Sequence, residues 1–430
     1  MPLNIIGAMI QDGPDVFPGW QYIRAYGPVV ATIGALKFYF RGKQNTWERD
    51  LHGKVYIITG GTSGLGAAVV EELAAKGAQI ILLVRSLEDF WLTDHISELR
   101  ERHNNFMIYA EECDLSSLHS VRKFATKWLD NVPPRRLDGV VCCAGESLPA
   151  YKERENSVDG IEIQTAVNYV GHFHLLTLLS PSLRSQLPDR DVRVILTTCM
   201  SQAMGQLDVE DPLFLNKRYP SSKPWNVFGL AKLELGLFAK EYQRRLLAIP
   251  RKDGSPCNVR INLVNPGLMR SPSTKRVASF GSLFGLLAYV CLLPILWIFL
   301  KSSGNGAQSI FHALYSSDFV NLQGGNFIAN CNIYKPARGE FEDEELQKQL
   351  YDNTEKDIAK VEKESAIRRK RAENLNVPKK EEKIEELGSG ISLDTTKENL
   401  FPDTENKTAT ATATKSSAAK SKKKKGKKKT

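Results

Sequence analysis

Between residues 59 and 66 the chain reads Thr59-Gly60-Gly61-Thr62-Ser63-Gly64-Leu65-Gly66. This run sits between a short apolar stretch, Val55–Thr59, and a stretch of helical spacing that continues to Lys76. A strand that runs through glycines straight into a helix admits few folds. Glycines let the backbone pass where a Cβ would collide. The helix N-terminus beyond them offers unpaired N–H groups and the positive end of a dipole, which together seat an anion such as a pyrophosphate. A glycine-rich turn alone is a weak signal, so the rest of the chain must decide.

Downstream, apolar strand-like runs alternate with helical ones. Gln79–Val84, Phe106–Ala110, Leu137–Cys143, Val192–Thr198, Val259–Val264 and Asn326–Asn330 read as strands. Leu118–Leu129, Val158–Leu183 and Phe228–Leu246 read as helices. The alternation predicts the α/β class: over residues 54–335, a Rossmann doubly wound parallel sheet with helices on both faces. In such a fold the glycine loop binds a dinucleotide. The second strand ends Leu83-Val84-Arg85-Ser86. A site for NAD places an acidic residue here, against the ribose 2′-hydroxyl. Arg85 instead offers a planar, bidentate fork to a 2′-phosphate, which points to NADP(H). Asp114-Leu115 follows the third strand, where the adenine ring would lie.

Here the chain resembles the short-chain dehydrogenase/reductase family. The glycine loop, Asp114-Leu115, Ala144-Gly145, Asn168 and Asn265-Pro266-Gly267 occur in the family's order and spacing. The run Asp159–Phe173 and Gly306-Ala307-Gln308-Ser309 are similar to the retinol-dehydrogenase-like branch, which has fungal members on the endoplasmic reticulum and on lipid droplets. The resemblance implies hydride transfer between nicotinamide and a carbonyl carbon. A Tyr gives the oxygen its proton, a Lys four residues on lowers that tyrosine's pKa, a Ser orients the oxygen and an Asn holds a relay water. Carried over by position, Asn168 is the Asn and Lys232 the Lys. The Tyr position is then Phe228, which has no proton to give, and the Ser position is Cys199, a weak donor. Thr198 or Ser201 is the alternative polar group, and Tyr219 or water-assisted Lys232 the alternative acid. The implied cofactor residues are Thr59 to Gly66, Arg85, Asp114, Leu115, Ala144, Gly145, Asn168, Lys232, Pro266 and Gly267. A positioned general acid is worth about 10²–10⁴ in rate. The choice therefore lies between an oxidoreductase acting on a lipophilic carbonyl or alcohol (retinoid, sterol or long-chain aldehyde) and a cofactor-binding but catalytically impaired scaffold or sensor at a lipid surface.

Charge and cysteines exclude other classes. The net charge is +9, and the nine lysines between residues 411 and 430 account for all of it. The remainder is near neutral and gives no reason to expect nucleic-acid binding. The seven cysteines are odd in number and show no CxxC spacing, which argues against a disulfide framework and against a metal site. Cys142 and Cys143 read as small buried residues beside the nicotinamide, and His172 and His174 as packing residues. The N-terminus lacks a basic region of the kind a secretory signal carries, and the sequon at Asn406 is expected to go unused.

Two apolar stretches remain. Residues 1–53 contain Tyr26–Leu36, too short to span a bilayer but flanked by Lys37 and Phe38-Tyr39-Phe40-Arg41, which suits a membrane interface; the alternative is a helix packed on the bottom of the domain. Phe280–Leu300 carries no charge, and Pro294 is expected to break a straight span. It reads either as an interfacial element on a membrane or lipid droplet, or as a fully buried lid over the substrate pocket. Residues 336–373 form a charged helix, expected to be exposed, and 374–430 a disordered lysine-rich tail suited to an anionic partner. The expected location is the cytosolic face of the endoplasmic reticulum membrane or of lipid droplets. Whether the chain forms a homo-oligomer stays open.

Overall fold

The computed structural model describes residues 19–376; the lysine run, Asn406 and residues 1–18 lie outside the described residues. One eight-stranded sheet organises the chain, in the order β3-β2-β1-β4-β5-β6-β7-β8. The strands are β1 (Val55–Thr59), β2 (Gln79–Val84), β3 (Ile108–Glu112), β4 (Gly139–Cys142), β5 (Val192–Thr197), β6 (Val259–Asn265), β7 (Asn326–Ala329) and β8 (Asn332–Tyr334). The first seven are parallel, as the alternation predicts, and the chain order reverses between β1 and β4. Ligands of open α/β sheets bind at such a reversal, beyond the strands' C-terminal ends.

Consecutive residues of β1 are buried on opposite faces. Ile57 packs with the helices Leu118–Leu129, Gly171–Arg184 and Trp225–Ala248, and Ile58 with Gly64–Ala75, Phe90–His103 and Ser303–Tyr315. Burial on both faces is why the strands read as continuous apolar runs and not as alternations.

The structure departs from the sequence reading at several places. The third strand is Ile108–Glu112, two residues later than expected. The Asn105 side chain donates to the Ala74 and Ala78 carbonyls, so the chain turns at Asn105, and ahead of Ile108 the Met107 carbonyl accepts the Ile80 N–H of β2. The long helix begins at Ile163, not Val158, and contains a π-turn, Ala166–Val170, around Asn168. After β7 the chain turns back through β8, an antiparallel edge strand that the sequence reading missed.

The charged C-terminal helix, Glu344–Asn376, is not exposed all round. Gln347, Leu350, Tyr351, Thr354, Ile358, Val361 and Ser365 form one buried stripe at helical spacing. The Tyr351 ring lies 5.0 Å from that of Phe173 and 6.0 Å from that of Phe238, with the Arg245 guanidinium 3.8 Å from its centroid. Tyr169 and Thr354 share a hydrogen bond of 2.7 Å. Glu362 pairs with Arg122 at 2.7 Å and His174 at 3.1 Å. Burial raises the Glu362 pKa, but hydrogen bonds from Arg122 and His174 outweigh it and hold the carboxyl down at about 2.

The two apolar stretches meet. Trp20–Arg41 is one helix of 22 residues with no buried side chain, not a segment packed beneath the sheet. It lies along the helix Leu283–Phe299: the Phe40 and Phe299 rings are 5.0 Å apart, and the Lys37 ammonium lies 4.5 Å from the Trp297 ring. The fully buried lid is excluded, because Leu283 is 85% and Phe284 88% exposed. Pro294 sits inside its helix without breaking it; the break comes earlier, a 117° bend between Pro272–Ala278 and Leu283–Phe299. No single helix among the described residues is long and apolar enough to cross a membrane. The excursion leaves and returns at one point, where the Arg270 N–H donates to the Lys301 carbonyl and the Lys301 N–H to the Leu268 carbonyl, both at 3.0 Å.

Tyr351→Ala removes a buried ring at the seam between the C-terminal helix and the core. It should destabilise the protein by about 3 kcal/mol, read as a lowered midpoint in urea denaturation followed by circular dichroism.

Candidate active site

At the C-terminal ends of β1, β2, β4 and β5 lies a cavity of about 830 Å³. Its floor is made by backbone meeting backbone. Gly60 has a φ of 65°, and a Cβ there would stand 2.6 Å from the Ala144 Cα. A Cβ on Gly66 would stand 2.1 Å from the Gly60 carbonyl oxygen, and one on Gly61 2.7 Å from Leu82 and 2.8 Å from Val70. Gly61 and Gly66 therefore do not line the cavity; they let the helix Gly64–Ala75 sit down on the sheet. The Thr59 hydroxyl accepts the Ala144 N–H at 3.1 Å and is 3.1 Å from Nε2 of His172. Burial, followed by the nearby Lys232 charge, lowers the His172 pKa to about 3, so its ring is neutral at physiological pH. His172 is thus more than packing: it braces the strand end from below, a role nothing in its local sequence signals.

Thr59, Gly60, Thr62, Ser63, Gly64 and Leu65 line one end of the cavity, with Arg85, Asp114 and Leu115 beside them. The Asp114 carboxylate is engaged locally, accepting the Ser116 N–H at 2.9 Å. Arg85 is 78% exposed and 3.3 Å from Glu146, whose carboxylate also pairs with Arg276. Glu146 and Arg276 were not singled out in the sequence. Glu146 directly follows Ala144-Gly145, which is the one signal that could have found it. An ion pair this exposed is worth about 0–1 kcal/mol, so Arg85 is free to turn to a phosphate. The glycine floor, the helix N-terminus and the adjoining arginine fit a dinucleotide phosphate chain. Thr59, Gly60, Ser63, Gly64 and Arg85 would hold that end, while Lys232 and Asn168 would face the nicotinamide half.

Ala144, Gly145, Asn168, Cys199, Phe228, Lys232, Pro266 and Gly267 all line the same cavity, as do Ser201 and Trp225. Asn168 is fully buried on the π-turn. Its amide donates to the Glu146 and Gln164 carbonyls at 2.7 and 2.8 Å, and its Oδ1 has no partner. Lys232 is 5% exposed and donates to the Thr197 carbonyl at 3.1 Å. Burial lowers its pKa. The Phe228 ring centroid lies 5.7 Å from Nζ of Lys232. Thr198, Cys199 and Ser201 all line the cavity; the Cys199 thiol and Ser201 hydroxyl are 2.6 Å apart, while the Thr198 hydroxyl donates to Gln202 at 2.9 Å. Burial pushes the Cys143 thiol up to about 12 and raises that of Cys142 further. Tyr219 does not line the cavity; its hydroxyl accepts from Gln164 at 3.4 Å and packs with Phe214, Val227 and Leu230, away from the reacting end. Among the described residues no cluster could hold a metal ion.

Known proteins carry the same pattern. Residues 54–209 match the short chain dehydrogenase family. The chain is 48% identical over 388 residues to an uncharacterized oxidoreductase of Saccharomyces cerevisiae, covering 86% of this chain and 95% of that one. It is 41% identical to an uncharacterized oxidoreductase of Schizosaccharomyces pombe, covering 85% and 97%. Identity to human retinol dehydrogenase 13 is 29%, covering 76% and 92%. A crystal structure of an uncharacterized Mycobacterium paratuberculosis protein superposes with a TM-score of 0.50 at 26% identity, covering 72% of this chain and 94% of that one.

Gly60→Ala puts a methyl group into Ala144 and strains a left-handed residue by ~1–3 kcal/mol, which should weaken dinucleotide binding roughly tenfold or more. Titration with NADPH, followed by its fluorescence, reads the change.

Proposed function

Because the chain belongs to the short-chain dehydrogenase/reductase family of oxidoreductases, we propose that it transfers hydride between NADP(H) and a lipophilic carbonyl or alcohol at a lipid surface. The substrate class is a retinoid, sterol or long-chain aldehyde. The observation that carries this reading is the exposed helix pair Trp20–Arg41 and Leu283–Phe299, whose root is the rim of the cofactor cavity. The short helix Pro272–Ala278 lines that cavity through Thr274, Arg276, Val277 and Ala278, and five residues later the chain begins to present Leu283, Phe284 and Leu287 to the outside. Apolar surface on this scale is costly in water. Headgroup and acyl boundary would remove that cost, with Tyr22, Tyr26 and Tyr39 at interfacial depth.

The two ends of the 270–301 excursion are tied together, so the helix Leu283–Phe299 dips into one leaflet and returns, as a monotopic element does, with Trp20–Arg41 lying along it. The name of the human retinol dehydrogenase relative supports a lipophilic substrate. The nine lysines of the tail suit anionic headgroups, at about 1 kcal/mol per basic residue near the surface. The cytosolic face of the endoplasmic reticulum or of lipid droplets offers that surface.

Phe228 and Cys199 favour a second reading, a cofactor-loaded scaffold or sensor at the same surface that turns nothing over. Turnover of NADPH with a panel of long-chain aldehydes, retinal and sterol ketones separates the two.

NADPH should bind at least tenfold more tightly than NADH, and Arg85→Ala should erase the difference in calorimetry; equal affinities in the parent chain would refute the 2′-phosphate assignment. Replacing Leu283, Phe284 and Leu287 together by Glu should leave the fold intact, since all three are exposed, yet release the protein from liposomes in a flotation gradient. Continued flotation of that variant would count against the helix pair as the anchor.

A further inference from the structure

We propose that in this chain Lys232 is itself the proton donor to the substrate oxygen, an inference that rests on the oxidoreductase reading above. A carbonyl reduction needs an acid at the reacting end of the cavity, and the site holds few. The Phe228 ring has no ionisable hydrogen. Tyr219 lies behind Gln164 and does not reach the cavity. The Thr198 hydroxyl is committed to Gln202, whereas the Cys199 thiol and the Ser201 hydroxyl share one hydrogen bond, which leaves the thiol as the rival acid. A serine hydroxyl is also far too weak an acid to act without a stronger group behind it.

Lys232 remains. Lys232 lines the cavity, and its one hydrogen bond among the described residues goes from Nζ to the Thr197 carbonyl. An ammonium has three N–H donors, so two are left for the cavity. The groups around it are Cys142 and Cys143 at the end of β4, Cys199 after β5, His172 on the neighbouring helix and Phe228 one turn back on its own. None is a carboxylate. The ammonium is therefore desolvated without a counter-charge, the circumstance that makes a lysine give up a proton readily. In the step itself the carbonyl carbon receives a hydride from the reduced nicotinamide cofactor. The C=O π pair moves onto oxygen, an N–H bond of Lys232 breaks and an O–H bond forms. The neutral amine left behind regains its proton from solvent at the open mouth of the cavity. Replacing Tyr by Phe then moves the acid about one helical turn, from position 228 to position 232.

The test needs a readout apart from turnover. The full-length, cofactor-free protein is treated with limiting acetic anhydride across a pH series, and acetylation of Lys232 is followed by mass spectrometry. Lys232 should become reactive at lower pH than the exposed lysines of the Glu344–Asn376 helix. With NADPH and a long-chain aldehyde, kcat/KM for reduction should fall as pH rises through that same midpoint, since the acid must be protonated. Lys232→Arg keeps the charge but cannot release its proton, and should lose about 10²-fold or more in kcat while still binding NADPH by fluorescence. Adding Phe228→Tyr to Lys232→Arg should restore turnover and move the pH limit upward. Acetylation of Lys232 in step with exposed lysines, or parental turnover in Lys232→Arg, overturns the assignment and leaves the oxidoreductase reading standing. So does turnover that persists in Lys232→Met but vanishes in Cys199→Ala, which would give the role to the thiol. If neither the parent nor Phe228→Tyr turns over while both bind NADPH, the oxidoreductase reading falls and takes the proposal with it.

Discussion

Between Gly60 and Ala144 there is no room for a methyl group, and much of the molecule is arranged so that this contact can exist. It brings the turn after β1 against the turn after β4 at the one place where the strand order reverses. The hydrogen bond from Ala144 N–H to Thr59 locks the approach, and the neutral His172 ring supports Thr59 from the helix below. A charged imidazole there would be buried beside the Lys232 ammonium, which is why its pKa is driven so low. The contact opens the floor of the cavity to a ligand's phosphates and aims the N-terminus of Gly64–Ala75 at them. Cofactor binding is thus a property of backbone geometry, which tolerates wide drift elsewhere in the site.

That division explains what was legible in the sequence. Glycines that must be glycines, and strands buried on both faces, leave strong local marks, so the parallel sheet and the glycine loop could be read directly, whereas Asn168, Cys199, Phe228 and Lys232 were placed only through the family resemblance. The features that escaped depend on distant partners. Glu344–Asn376 is nearly half charged, and only its match to Phe173, Phe238 and Thr354's partner Tyr169 turns seven scattered positions into a buried face. His172 gains its role from Thr59, which is 113 residues away. Glu146 is defined by Arg85 and Arg276. β8 was missed for another reason: three residues with partly exposed side chains carry too little pattern to be seen.

The apolar helices show the same limit from the other side. Each was visible as composition, but neither alone said whether it faced protein or solvent. Packed together they cover only a strip of each other, and Tyr289 is the single buried side chain of the longer apolar run. A lid over a pocket would hide Leu283 and Phe284; here they stand at the outer end of a bend whose inner arm touches the cavity. The bend, not the proline, gives the excursion its shape. Gly285 makes it possible, since a Cβ there would meet the Ser279 carbonyl oxygen at 2.0 Å.

The chemical end of the cavity has kept its frame while changing its groups. Asn168 remains buried with a free Oδ1, and Lys232 remains desolvated against Thr197. Both are expensive arrangements: an unpartnered buried amide oxygen and an unpaired buried ammonium each cost free energy. A site with no remaining use for them would have no physical reason to hold either, because a leucine or methionine at position 232 would pack the same space without a desolvated charge. The phenylalanine beside the lysine offsets only part of that cost, through the face of an aromatic ring at 5.7 Å. A charge kept dry without a counter-ion is poised to lose its proton, and Lys232 holds that charge in the wall of the cavity that Asn168, Cys199 and Phe228 also line.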